Sequence, residues 1–262
     1  MRRRLDTEIV RRGLAPSRAR AVEAITDGRV LVGGAPASSP ARQVAPHEAV
    51  AVLEPASEYV SRGGHKLAAA LDAFGIDVRD RRAVDVGAST GGFTDCLLQR
   101  GAQHVDAIDV GHGQLAWSLR NNERVTVRER TNVRDLDAQS LPVAAEICVA
   151  DLSFISLRTV ALNLIAICKP HAEFVLLIKP QFEAGRSRVG RGGVVRDVAI
   201  HRAVLREVID GLALAGLGVI GLVRSPLRGA DGNVEFLAHA RLGASTVSDA
   251  EIERVVDERD ST

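Results

Sequence analysis

Lysine is nearly missing from this chain: of 34 basic side chains only three are lysines, Lys66, Lys169 and Lys179, and the rest are arginines. A GC-rich coding background produces such a bias without any function, so a lysine kept against it stands out. Aromatics are also scarce, at 3% with a single Trp117 and a single Tyr59. That argues against base-stacking platforms and for recognition by shape and phosphate contacts, should the partner be a nucleic acid. The three cysteines, Cys96, Cys148 and Cys168, have neither metal-ligand nor redox spacing, and their odd number suggests no disulfide framework. They read as small core residues in a reducing cytoplasm, with no metal site expected. No apolar run approaches the ~18 residues that a membrane helix needs, and the longest, around 159–168, reads as a short buried helix. Arg2, Arg3 and Arg4 follow Met1 without an apolar stretch, so no secretory leader is expected.

Net charge is also small, +1, with 46% hydrophobic and 26% charged residues, as in an ordinary globular protein. The figure hides a gradient. Residues 1–50 hold nine arginines against five acids, and residues 243–262 hold two against six. A basic head and an acidic tail cancel.

The 262 residues suit one large domain with a small module, at roughly 150 residues per domain. Leu5 to Arg12 and a helix capped by Ser17, with Ala21, Val22 and Ile25 on one face, are followed by a stop at Gly28 and strands around Val30 to Val32 and Ala49 to Leu53. Arg2, Arg3, Arg4, Arg11, Arg12, Arg18 and Arg20 are placed on the helices, a dense footprint for phosphates. The spacing Arg4-Leu-Asp, Gly13, Ser17-Arg18, Ala21, Ile25, Gly28, Val30, Val32, Gly34 resembles the small RNA-binding domain named after the fourth ribosomal small-subunit protein.

From Ala83 the pattern alternates short apolar runs with helical stretches. Strands are expected at 83–86, 104–108, 124–127, 146–150, 173–178, 217–223 and 234–240. The fold class is α/β, a Rossmann-like, mostly parallel seven-stranded sheet with an antiparallel last hairpin, beside a small α+β head. The expected organisation is a head at 1–56, a linker at 57–61, the α/β domain at 62–242 and an acidic helix and tail at 243–262. Ser248 and Glu251 form a capping box ahead of Ile252, Val255 and Val256.

The run Val84-Asp-Val-Gly-Ala-Ser-Thr-Gly-Gly-Phe-Thr94 turns the first strand into a helix. Its glycines, Gly87, Gly91 and Gly92, permit close approach by ligand and helix. Their spacing is not Gly-x-Gly-x-x-Gly, which disfavours a nicotinamide enzyme. Asp85 before them suits a cationic ligand, and Asp109, at the end of the second strand, suits a ribose diol. Together they read as a site for S-adenosyl-L-methionine. Asp151 ends the fourth strand and Lys179 the fifth; each alone could be the surface end of a strand, but both fall at the edge where ligands bind. Lys66 lies on a helix before the first strand, and Glu235 at the start of the last. Lys169, before Pro170, is placed at a helix end as a structural residue.

Lys66, Asp151, Lys179 and Glu235 are similar to the Lys-Asp-Lys-Glu tetrad of the FtsJ-type 2'-O-ribose methyltransferases. With the head, and with Ser61-Arg-Gly-Gly-His-Lys66, Gly113-Gln-Leu-Ala-Trp-Ser-Leu-Arg120, Ala150-Asp-Leu-Ser-Phe-Ile-Ser156 and Gly232-Asn-Val-Glu235, nearly the whole chain resembles the TlyA family, often called haemolysins. The resemblance implies methylation of cytidine 2'-hydroxyls in 16S and 23S ribosomal RNA, free or in ribosomal subunits, by a cytoplasmic protein, a monomer being favoured. It implies cofactor contacts from Asp85, Gly87, Ala88, Ser89, Gly91, Gly92, Phe93, Asp109, Asn132 and Asp151, with Thr131 and Asn132 near the adenine. RNA contacts are expected from Arg3, Arg4, Arg11, Arg18, Arg20, Arg62, Arg186, Arg188 and Arg191, the last three interleaved with glycines in a loop that also reads as a flexible surface segment. A ribose hydroxyl must lose its proton during transfer, and lysine can accept one where arginine cannot. Lys179 is therefore the base or the group that steers the hydroxyl, with Asp151 orienting it and Lys66 and Glu235 positioning the ribose. Neighbouring cations favour its neutral form, and neighbouring carboxylates its ammonium form. The competing readings are a membrane-active haemolysin and a non-catalytic RNA-binding assembly factor.

Overall fold

A computed structural model describes residues 2–53 and 58–258, and its contacts divide the chain after Glu58 into two units. The first unit runs β1 (Arg3–Arg4), α1 (Leu5–Arg11), α2 (Arg18–Thr26), β2 (Val30–Val32), β3 (Ala35–Pro36), β4 (Gln43–Val44) and β5 (Val50–Val52). Ser17 caps α2 by accepting from the Arg20 amide at 3.3 Å, a contact that contributes about 1 kcal/mol. Leu5, Ile9, Ala21, Ala24, Ile25, Val30 and Val32 close a small core between the helices and the three-stranded sheet β3-β2-β5.

The head departs from expectation at its start. Arg3 and Arg4 are not helical; they form β1, antiparallel to β4 with Arg3 opposite Val44. The Leu5 amide donates to the Arg42 carbonyl at 2.8 Å and the Asp6 amide to that of Pro40 at 3.2 Å, so the helix begins only at Leu5. A two-residue strand carries no period for a sequence pattern to reveal.

The arginines of the head are organised by two enclosed acids. Asp6 accepts from Arg4 Nη2 at 2.9 Å and Arg18 Nε at 3.0 Å. Glu8 accepts from Arg11 at 2.5 Å and Arg12 at 2.8 Å, with Arg3 at 4.0 Å. The Arg4 guanidinium, joined by Arg18, draws the Asp6 carboxyl down to about 2 against its burial, and Arg11 with Arg12 does the same for Glu8. Both carboxylates are ionised wherever an unfolded carboxylate would be, so their support is complete above the unfolded value and is lost as pH falls through the folded one. Carboxyl NMR titration of the full chain should find both groups ionised at pH 3. Ordinary titration of both near 4 would contradict the hub.

The second unit runs α3 (Gly63–Phe74), β6 (Arg82–Val86), α4 (Gly92–Gln99), β7 (His104–Ile108), α5 (Trp117–Arg120), β8 (Val125–Arg128), β9 (Ala145–Ala150), α6 (Leu157–Ala166), β10 (Cys168–Ile178), α7 (Pro180–Glu183), α8 (Val198–Leu214), β11 (Leu217–Arg224), β12 (Phe236–Leu242) and α9 (Asp249–Asp257). The seven strands lie in the order β11-β12-β10-β9-β6-β7-β8. Strands from β10 to β8 are parallel, and β12 is antiparallel to both its neighbours. The central strands read as apolar runs because helices cover both faces. The chain winds outward from β6 through β7 to β8 and, on the other side, from β9 to β10. The boundary between β6 and β9 is thus a switch point, where parallel sheets bind ligands beyond their carboxyl ends.

Tyr59, in the expected linker, is buried with its ring edge-on to His65; residue 57 of that linker lies outside the described residues. At the other end, Ser248 caps α9, and Ile252, Val255 and Val256 enter the same core as α6 and α8, while residues 259–262 of the expected tail lie outside the described ones. Lys169 is not at a helix end. It lies in β10, which starts right after the C-cap of α6, and pairs with Glu146 at 3.1 Å. Cys96 and Cys148 are buried, Cys168 is half-buried, and all three are free. Among the described residues no helix is long and apolar enough to cross a membrane.

Candidate active site

Each strand that reaches the switch edge ends in a glycine or a charged residue directly after its apolar run: Gly87 after β6, Asp109 after β7, Asp151 after β9 and Lys179 after β10. The Asp151 amide donates to the Val86 carbonyl at 3.0 Å, which holds the two central loops together. Two cavities open there. One, of about 430 Å³, is walled by Gly87, Ser89, Asp109, Thr131, Asn132 and Asp151, among others. The other, of about 320 Å³, is walled by Arg62, Lys66, Asp151, Lys179, Gly229 and Glu235, with Gly87, Ala88, Ser89, Gly92 and Phe93 on its near side. Gly87, Ser89 and Asp151 face both, so the two spaces adjoin.

Within the second cavity four of the five charged wall residues form two ion pairs. Lys66 Nζ donates to Glu235 Oε2 at 2.5 Å, with Lys66 8% and Glu235 2% exposed. Lys179 Nζ lies 2.5 Å from Asp151 Oδ1 and donates to Ser153 Oγ at 3.0 Å. The last paired residues of β10 and β12 are Ile178 and Phe236, so continuing the register by one step sets Lys179 across from Glu235. Glu235 precedes β12 rather than opening it.

In the first cavity Asp109 accepts from the Ser89 amide at 2.8 Å and the Gly111 amide at 2.6 Å, which fixes its carboxylate and leaves lone pairs for hydroxyl donors. Asn132 caps a short turn by accepting from the Arg134 amide at 3.0 Å, so its Nδ2 side is oriented by the oxygen's anchoring. Asp85 is different: it walls neither cavity and lies fully buried at the end of β6. Thr94 Oγ1 donates to its Oδ2 at 2.7 Å, Oδ1 has no partner, and burial pushes the carboxyl up to about 7. Gly91 also stands back from both cavities, pressed against Leu115 and Leu119.

The expected RNA contacts divide. Arg62 walls the lysine-bearing cavity, and Arg186 is exposed on a short turn. Arg188 is fixed instead by Glu207, at 2.6 and 2.8 Å, and by the Ala184 carbonyl at 2.6 Å, so its guanidinium is committed to the fold. The side chain of Arg191 lies outside the described residues. Arg3, Arg4, Arg11, Arg18 and Arg20 are all exposed on the head, Arg20 paired with Glu23 at 2.7 Å.

Three residues escaped the sequence reading. Ser153 anchors Lys179. Asn233, fully buried, accepts from the Val195 amide and donates to the Gly193 carbonyl, both at 2.9 Å, tying the arginine-glycine loop to the hairpin that bears Glu235. Phe154 is 89% exposed with φ +64°, its ring 4.9 Å from that of Phe182. The scarcity of aromatics argued against stacking, yet one of the few is presented at the wall of the first cavity. Its only sequence signal is a phenylalanine beside a strand-end aspartate.

Comparison with known proteins agrees with the fold and extends across the chain. The FtsJ-like methyltransferase family model matches residues 59–242, and the S4 domain model matches residues 3–50. The chain is 47% identical to the 16S/23S rRNA (cytidine-2'-O)-methyltransferase TlyA of Mycobacterium tuberculosis, over 98% of each chain. It is 39% identical to Hemolysin A of Brachyspira hyodysenteriae, over 90% of this chain and 98% of that one. A solved structure described as a candidate hemolysin from Streptococcus thermophilus superposes with a TM-score of 0.74 at 37% identity, over 97% of this chain and 94% of that one.

Proposed function

The chain belongs to the FtsJ-like methyltransferase family and carries an S4 domain ahead of its catalytic domain, and from that premise we propose that it methylates cytidine 2'-hydroxyls of 16S and 23S ribosomal RNA in the cytoplasm, with S-adenosyl-L-methionine as donor. The observation that carries this reading is the junction of the two cavities at Asp151: one is suited to the donor, and the other holds both lysine–carboxylate pairs. The relative from Mycobacterium tuberculosis is described by that activity.

The residues present fit the donor. Asp109 offers lone pairs to a ribose diol, and Asn132 and Thr131 wall the same cavity, where an adenine would lie. When bound, the donor supplies an electrophilic methyl group on a sulfonium. The chain does the rest. Lys179 stands between the carboxylate of Asp151 and the hydroxyl of Ser153, so its ammonium is held in one place. An incoming 2'-hydroxyl that replaces one of these partners meets an ammonium that can donate to its oxygen and steer it or, once that ammonium has lost a proton to solvent, an amine that can take the hydroxyl proton as the oxygen attacks. Lys66 and Glu235, locked to each other, offer a donor and an acceptor to the remaining ribose oxygens. Two lysines against two carboxylates leave this set with no net charge, which suits a neutral hydroxyl better than a phosphate. Phosphates fall to the arginines of the head and to Arg62 and Arg186.

The decisive test is transfer of label from S-adenosyl-L-methionine to separated small and large ribosomal subunits, with the modified nucleotide mapped. Methylated cytidine ribose is the expected product, and no transfer to either subunit would overturn the proposal. RNA affinity should also fall steeply as salt is raised from 50 to about 200 mM, because contacts to the RNA backbone are electrostatic; salt-independent binding would exclude the head as its source.

A further inference from the structure

We propose that Glu183 is a positioning residue for Lys179, fastening the turn behind this lysine to the start of α6. The inference deepens the methyltransferase reading and rests on it. Lys179 immediately precedes α7, a single turn from Pro180 to Glu183 closed by the Phe182 amide on the Lys179 carbonyl and the Ala184 amide on the Pro180 carbonyl, each at 2.9 Å. One turn of helix has no stability of its own, because nucleation costs more than its few hydrogen bonds return. Something else must hold it.

That support comes from the last residue of the turn. Glu183 Oε2 accepts from Ser156 Oγ at 2.5 Å, and Oε1 accepts from the Leu157 amide at 2.7 Å. Arg158 Nη2 donates to the Glu183 carbonyl at 3.1 Å. The carboxylate therefore satisfies α6 at its N-terminus, where amides lack partners within the helix. Ser156 caps the helix in the ordinary way, its Oγ accepting from the Arg158 amide at 3.2 Å; the Leu157 amide is met instead by Glu183, from a separate segment and only 4% exposed. Burial pushes the Glu183 carboxyl up, against the pull of Ser156, Leu157 and Arg158.

The clamp joins the two segments that build the reactive pair. The segment after β9 carries Asp151, Ser153 and, at its far end, Ser156 and Leu157; the segment after β10 carries Lys179 and, at its far end, Glu183. Strand pairing of β9 with β10 fixes the near ends, and Glu183 fixes the far ends. Between these fastenings lie the 2.5 Å Lys179–Asp151 contact, the 3.0 Å bond to Ser153 and the Phe154–Phe182 ring contact. Glu183 walls neither cavity, so it acts through Lys179 rather than on a substrate.

The test compares the full-length wild type with Glu183→Ala, Glu183→Gln and Ser156→Ala, measuring kcat on ribosomal subunits, KM for S-adenosyl-L-methionine and equilibrium cofactor binding. Glu183→Ala should lower kcat by about 10- to 100-fold, as expected for a small displacement of a reacting group, with cofactor binding unchanged. Glutamine can still accept from the Leu157 amide and donate to Ser156 Oγ, so Glu183→Gln should recover most of the lost kcat, and Ser156→Ala should fall between. Wild-type kcat in Glu183→Ala, a matching loss of cofactor binding, or a glutamine variant no better than alanine would each overturn the proposal. If Glu183→Ala does not fold, an unaltered kcat in Ser156→Ala overturns it equally. Absence of methyl transfer by the wild type would instead refute the functional reading, and so the two failures are distinguishable.

Discussion

Lys179→Met should lower kcat for methyl transfer by about 10²- to 10⁴-fold, the range that a positioned proton acceptor contributes, while S-adenosyl-L-methionine still binds. The separation of effects follows from geometry. Lys179 walls only the cavity that holds the lysine–carboxylate pairs, whereas the residues suited to the donor wall the other. Methionine keeps an unbranched apolar stem and removes the charge and the protons, including the ammonium that lies 5.8 Å from the centroid of the Phe182 ring. Lys179→Arg then divides the two roles of the residue. Arginine keeps the positive charge beside Asp151 but cannot give up a proton near neutral pH. If Lys179 serves as the base, Arg fails as badly as Met; turnover retained with Arg, alongside intact cofactor binding by calorimetry, would sink the base role and leave steering by charge.

Gly87→Ala should be the most damaging change of a single methyl group. Its φ of +87° lies where an L side chain is strained, and its added Cβ would sit 2.4 Å from the Asp151 carbonyl oxygen and 3.0 Å from the carbonyl carbon. The strain alone costs roughly 1–2 kcal/mol. The clash is with backbone, so no rotamer change relieves it, and the loop after β6 must part from the loop after β9. That seam is the shared wall of both cavities. Cofactor affinity and kcat should therefore fall together, by at least about tenfold, which is 1.4 kcal/mol, with a lower Tm. A variant with wild-type cofactor affinity would show that the seam can open without consequence.

The sequence revealed the strand ends far better than the contacts between them. Asp109, Asp151 and Lys179 were legible because each is the first polar residue after an apolar run, and parallel strands buried on both faces must stop where the side chains turn polar. The order β10-β12-β11 was legible only as a terminal hairpin, since nothing local says that the last strand inserts beside the fifth. The pairing of Lys66 with Glu235 joins residues 169 positions apart, a distance over which no periodicity reaches. The partners of Arg188 and Lys169 were hidden for a common reason: an arginine in a glycine-rich loop and a lysine before proline show none until an acid on another element, Glu207 or Glu146, is brought against them. Glu183 gave no signal at all, because a cap supplied from a different segment leaves the helix it serves with an ordinary start.

The two acids of the head change how its arginines should be counted. Arg3, Arg4, Arg11, Arg12 and Arg18 gather on Asp6 and Glu8, so five guanidinium groups present only about three charges to solution and hold fewer condensed anions of their own. The number of ions liberated when RNA docks, read from the slope of log affinity against log salt, should then be smaller than the number of arginines on the surface. The same pairing holds these side chains in place before any RNA arrives, so less side-chain freedom is left to lose on docking.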